Sequence, residues 1–266
     1  REKDGAPLKT VLEYAEEQGL STGVVTNKTV TDATPAACYA HANDRKQYAR
    51  IFQQLLDPRF GDGVDVLIGP GRQEVEEALR KEGLGIDPLL AKAGRKQYAA
   101  VEAIPGDAKR AVAIFDSLAD FSLPEAVAKA VAVLERNPNG YFLMVEGDMH
   151  TDDIEAGLKR ALELDEIARS LNEQVSRDTL ILYTADHSFG LSIHDGRRGD
   201  ALLSAEEAQA ARADPFQGKA VARVGTHTAE EVIVAAQGPG AARVRGYMPN
   251  TAIFHVMRDA FGWKAD

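Results

Sequence analysis

The chain has 266 residues, 44% hydrophobic and 27% charged, ample for one sizeable core and marginal for two domains. Its net charge of −10 and its 31 dispersed basic residues argue against a nucleic-acid partner. A single cysteine, Cys38, excludes an intramolecular disulfide and any thiolate-rich zinc site, and no apolar stretch reaches the roughly 20 residues of a membrane span. The chain opens at Arg1 with no initiating Met and no visible signal peptide, and reads as the middle of a longer protein.

Leu8, Val11, Leu12 and Ala15 repeat at helical spacing between Pro7 and Gly19, so a helix is expected there, followed by a short strand at Gly23 to Asn27. Pro35 is set to begin a second helix, running through His41 towards Arg45. Val64 to Ile68 reads as a strand stopped by Gly69-Pro70-Gly71, Gln73 to Arg80 as a surface helix, and Ala111 to Phe115 as a third strand. Leu123-Pro124-Glu125 opens a helix that ends in the turn residues Asn137-Pro138-Asn139-Gly140. Tyr141 to Val145 is a near-continuous apolar run, of the kind found in parallel strands covered on both sides. A long helix from Asp153, a strand at Leu180 to Tyr183, a strand at Glu231 to Ala236 and a closing helix from Asn250 to Phe261 complete the series. Phe189 to Gly225 is the least regular part, with a short Ala/Glu-rich helix from Ser204, and reads as an insertion near the site. The alternation defines an α/β fold: one domain over residues 1–266, with a mostly parallel central sheet and helices on both faces.

Three of the strand-associated loops carry metal-ligand types: Glu146, Asp148 and His150; Asp186 and His187; and His227. In open α/β sheets ligands bind beyond the carboxyl ends of strands, where these groups stand. Imidazole with carboxylate suits Zn²⁺, and carboxylate with a hydroxyl suits Mg²⁺. Each residue also has a plainer reading: Thr34 before Pro35 as a helix cap, Arg45 as one more surface charge, and Asp186-His187 as a solvated loop start. His41, His194 and His255 are taken as structural or solvated.

The segment Asp32-Ala33-Thr34-Pro35-Ala36-Ala37, with Arg45 eleven residues after Thr34, resembles the alkaline phosphatases. So do Asp65-Val66-Leu67-Ile68-Gly69, Phe142-Leu143-Met144-Val145-Glu146-Gly147, Thr184-Ala185-Asp186-His187, His227-Thr228 and Gly238-Pro239-Gly240, in the family's order. The resemblance implies a three-layer sandwich of which this chain is the C-terminal two-thirds. It further implies a phosphomonoester hydrolase with two zinc ions and one magnesium: Thr34 and Glu146 on Mg²⁺, Asp186 and His187 on one Zn²⁺, Asp148, His150 and His227 on the other, and Arg45 on the substrate phosphate. The same resemblance implies a homodimer, periplasmic or secreted, acting on small-molecule phosphate monoesters.

Two departures stand out. Glu146 and His150 are only four residues apart, closer than in the family, which leaves Asp148 as the carboxylate between them and Asp152 in reserve. The resemblance implies that the family's nucleophilic serine lies upstream of Arg1, and as substitutes within the chain neither Ser21 nor Ser188 sits in a nucleophile-like context. A related phosphodiesterase or sulfatase-type hydrolase and a non-catalytic metal-binding fragment or degenerate homologue remain alternatives.

Overall fold

A computed structural model describes residues 6–263 apart from 118, 120, 121, 152, 194–220 and 229. The chain, expected to form one domain, divides into two compact units, residues 1–148 with 163–173 and residues 149–162 with 174–266.

The first unit is built on β1 (Ser21–Thr26), β2 (Val66–Pro70), β3 (Ala111–Phe115) and β4 (Tyr141–Glu146), all parallel and ordered β3-β2-β1-β4. Successive side chains of a strand point to opposite faces, and both faces are covered. Val24, Leu67, Val112 and Ile114 join one core with residues of α1 (Val11–Glu17), α2 (Ala33–Tyr39), α3 (Tyr48–Leu56), α4 (Arg72–Arg80) and α5 (Ile86–Lys92). Val25, Val66, Ile68 and Ala113 join the other with α6 (Leu123–Leu134) and with Ile167 of the long helix α7 (Ile154–Gln174). The expected three-layer α/β arrangement is therefore present.

Several boundaries differ from the sequence reading. α1 starts at Val11 rather than near Pro7, because Thr10 and Glu13 form a reciprocal capping box. α2 stops at Tyr39 instead of continuing towards Arg45; Ala40 turns extended, and the Glu13 carboxylate holds the His41 ring at 2.8 Å. Arg45 consequently lies in the loop before α3, a helix that the sequence reading missed, as it missed α5. β4, expected to be covered on both sides, is half-buried along its whole length, and among the described residues its ladder partner is β1 alone.

At the opposite ends of these strands from the candidate ligands, buried carboxyl groups are hydrogen-bonded. Glu16 accepts from the Thr22 hydroxyl and from the backbone N–H of Asp62 (3.1 Å) and Gly63 (3.2 Å). Asp65 accepts from the Thr22 N–H and from Arg110 Nε, both at 3.0 Å.

The second unit contains β5 (Ile181–Thr184) paired with β8 (Val234–Gln237), and β6 (Ser188–Ile193) paired with β7 (Val221–Thr228); both pairs are antiparallel. The stretch read as irregular from Phe189 to Gly225 thus begins and ends in strand, while its interior, including the helix expected from Ser204, lies outside the described residues. The closing helix is α8 (Ala252–Ala260).

Candidate metal-binding sites

In the first unit, Thr26 and Glu146 are direct neighbours in register at the carboxyl ends of β1 and β4. The Thr26 hydroxyl donates to Glu146 Oε2 at 2.5 Å, and Thr34, in the first turn of α2, hydrogen-bonds the same carboxylate. Burial pushes the Glu146 carboxyl above its ordinary value of 4.5; the two hydroxyls oppose that, while the negative charges of Asp32 and Asp148 add to it. A half-buried carboxylate among hydroxyls and further carboxylates gains from a hard cation, so the donor set fits Mg²⁺.

Asn27, the residue after β1, anchors the backbone just beyond β4: its Oδ1 accepts the Asp148 N–H at 2.6 Å and its Nδ2 donates to the Asp148 carbonyl at 3.1 Å. Asp148 Oδ2 lies 3.1 Å from Lys28 Nζ, and the Asp148 side chain is only 9% exposed. Arg45, 61% exposed, donates to Asp32 at 2.8 Å. Asp32 stands at the N-cap of α2 in an extended conformation. Thr34, Glu146, Asp148 and Arg45 thus share this unit, and Thr34 meets Glu146 directly. Sequence reasoning missed Thr26, Asn27, Lys28 and Asp32. Asp32 lay inside the quoted motif, whereas Thr26 becomes visible only with the pairing register.

In the second unit, the ligand nitrogens of His150, His187 and His227 all lie within 4.8 Å of one another. The ring centroids of His187 and His227 are 4.2 Å apart, and His150 stands 5.5 and 5.7 Å from them. His187 follows β5, and His227 lies on β7 opposite Phe189 in the ladder. His150 precedes α7, where Arg160 donates to its carbonyl at 3.2 Å. His187 Nδ1 is 3.2 Å from the Ser188 carbonyl, and Nε2 is 3.2 Å from Asp186 Oδ2. Three imidazoles without a thiolate fit zinc. The sequence expectation had Asp186 and His187 on one ion and Asp148, His150 and His227 on another; the three rings stand within 5.7 Å of one another, centroid to centroid. The reserve ligand Asp152, like His194, lies outside the described residues. His255 sits edge-on to Phe254.

A parallel α/β sheet with hydroxyl and carboxylate oxygens at its strand ends, in a chain that also gathers three imidazoles, offers donor sets of the kind that suit divalent cations. The family described as alkaline phosphatase matches residues 2–99 and 105–218, and the chain belongs to it. The chain is 26% identical to alkaline phosphatase 4 of Bacillus subtilis (strain 168), covering 97% of itself and 72% of that protein. It is 27% identical to the tissue-nonspecific alkaline phosphatase isozyme of Gallus gallus, of which it spans 66%. Among solved structures, the alkaline phosphatase of Thermus thermophilus superposes with a TM-score of 0.80 at 24% identity, over 98% of this chain and 75% of that one. The alkaline phosphatase of the Antarctic bacterium TAB5 gives 0.78 at 20% identity, over 98% and 78%. A variant of the TAB5 enzyme is described with bound Mg.

Proposed function

We propose that the intact protein hydrolyses phosphate monoesters with the help of divalent cations. The observation that carries this reading is the Glu146 carboxylate, half-buried and held between the Thr26 and Thr34 hydroxyls at the ends of β1 and α2. Thr34 and Glu146 would hold Mg²⁺, with Thr26 orienting the carboxylate. The imidazoles of His150, His187 and His227, with Asp186 and Asp148, are the zinc ligands that the family resemblance implies. Bound divalent ions would supply electrostatic stabilisation to a phosphoryl group in transfer. Arg45, tied to Asp32 at 2.8 Å, presents a planar fork to two non-bridging phosphate oxygens, which a monoester offers more fully than a diester. Asp32 positions that guanidinium. The attacking group would be a serine upstream of Arg1. Export from the cell and a homodimeric state belong to the same proposal; among the described residues no helix is long and apolar enough to cross a membrane.

A metal-binding protein without turnover is the second reading, favoured by the Lys28 ammonium beside the Asp148 carboxylate. The test compares an aryl phosphate monoester, an aryl diester and an aryl sulfate on the intact protein. Monoester turnover should be fastest, vanish with chelator, return with Zn²⁺ and Mg²⁺, and fall by about 10²-fold or more in Arg45→Ala. Faster cleavage of the diester or the sulfate would overturn the monoester assignment, and metal uptake without turnover would establish the second reading.

A further inference from the structure

We infer that His41 is a positioning residue for Arg45: its ring, held by Glu13, and its backbone, held by Gln54, fix the break in the chain that brings the Arg45 guanidinium to Asp32. The inference rests on the proposed role of Arg45 as the phosphate ligand, and every residue in it belongs to the first unit.

The stretch from Ala36 to Lys46 contains neither glycine nor proline, and Ala40 and Ala42 favour helix, which is the basis for expecting a helix as far as Arg45. In a continuous helix, Arg45 would stand about 20 Å along the axis from Asp32, since the two are 13 residues apart and each residue rises about 1.5 Å. In the structure Arg45 Nη2 donates to Asp32 Oδ1 at 2.8 Å. The chain must therefore double back between Tyr39 and Arg45, and no residue of that stretch compels it to do so by backbone preference alone.

The break is held from outside the stretch. Ala40 leaves α2 with an extended backbone. One residue on, His41 Nε2 lies 2.8 Å from Glu13 Oε1, the carboxylate accepting from the ring, while Oε2 of the same group accepts the Thr10 N–H at 2.9 Å in the capping box of α1. The Glu13 side chain is 3% exposed, so loss of the ring would leave a buried carboxylate oxygen without its donor. Arg59 Nη1, at 3.9 Å, is too far away to replace it by a hydrogen bond. Gln54 of α3 takes both backbone groups of His41: its Oε1 accepts the N–H at 2.9 Å, and its Nε2 donates to the carbonyl at 3.3 Å. Those are the groups that a continuing helix would use in its own ladder. Asp44 completes the return, its Oδ1 accepting the Lys46 N–H at 2.9 Å and its carbonyl the Gln47 N–H at 3.2 Å. Arg45 is 61% exposed, so its aim depends on this backbone and on Asp32 rather than on surrounding packing. A ligand that grips phosphate through a planar fork is sensitive to such aim, and a misplacement of about 1 Å can cost about 100-fold.

The test uses the intact protein dialysed with Zn²⁺ and Mg²⁺ and reads two quantities: affinity for inorganic phosphate by calorimetry, and kcat and KM for an aryl phosphate monoester. His41→Leu should weaken phosphate binding by about 10-fold and lower kcat/KM by a similar factor. His41→Gln, whose amide can donate to Glu13 from nearly the same place, should restore both to within about threefold of the wild type. In an Arg45→Ala background the His41→Leu change should have no further effect, because it acts through the guanidinium. Urea midpoints check that each variant is folded; should His41→Leu unfold, Gln54→Leu releases the same backbone and is read in its place. Unchanged phosphate affinity in folded His41→Leu would overturn the inference and leave Arg45 as the phosphate ligand. So would an equal loss with and without Arg45, or a His41→Gln protein as impaired as His41→Leu. An Arg45→Ala protein that binds phosphate as tightly as the wild type would instead sink the underlying reading of Arg45, and this inference with it.

Discussion

Glu16 keeps a carboxylate almost wholly out of water, 6% exposed, where it serves three donors. Burial outweighs those bonds and raises its carboxyl above 4.5. The folded chain therefore retains this proton at pH values where the unfolded chain has released it. Stability from this group is full below pH 4.5 and declines as pH rises towards the raised folded value. Glu16→Gln can keep every contact, with its oxygen accepting the Asp62 and Gly63 N–H groups and its amide donating to Thr22. Urea unfolding at stepped pH should show a flatter decline above pH 4.5 in Glu16→Gln than in the wild type; an unchanged slope would mean that the charge resides elsewhere. Other residues of this kind differ in how readily sequence betrays them. Glu146, Asp186 and His187 announce themselves by following apolar strands. Thr26 does not, because its role depends on which residue of β4 stands beside it, and that is a matter of register.

At the level of elements, the connection after β2 depends on Gly71, which has φ +104° and caps α4. A Cβ there would run into the Thr29 side chain, while the Gly71 N–H donates to the Phe115 carbonyl at 2.9 Å. Gly71→Ala should cost about 1–3 kcal/mol, measured as a lowered urea midpoint; an unchanged midpoint would contradict the left-handed conformation. Since Thr29 leads into Asp32 and Thr34, the same substitution disturbs the approach of α2 to Glu146. The Gly-Pro-Gly punctuation made this turn legible in the sequence, and the apolar runs revealed the four parallel strands. α3 escaped notice because Gln47 provides no side-chain cap to mark its start, although Ile51, Phe52 and Leu55 follow helical spacing. The antiparallel pairing of β5 was hidden for another reason: nothing in Ile181 to Thr184 encodes the direction of its neighbour.

Over the whole molecule, burial is uneven. β1, β2 and β3 are buried almost throughout, and two apolar cores flank them. In the second unit the side chain of Val256 is buried, while Ile233 and Tyr247 are each 84% exposed. Backbone amides of β5 and β8 should therefore exchange with deuterated solvent well before those of β1 and β2, read by mass spectrometry of peptic fragments. Equal protection would mean that the second unit draws stability from elsewhere. The general α/β layering could be read from the alternation of apolar runs and helical spacing, but this imbalance could not, because burial belongs to packing rather than to any one segment.

β4 lies at the margin of that well-buried sheet, half-covered on both faces, and it ends in Glu146. Among the described residues β4 is laddered along one side alone, and a strand so held can open without unfolding the rest, each opening carrying the carboxylate away from Thr26 and Thr34. A cation bound at Glu146 and the closure of β4 are then two sides of one equilibrium, each favouring the other. The residence time of an ion held there would follow the breathing of the strand.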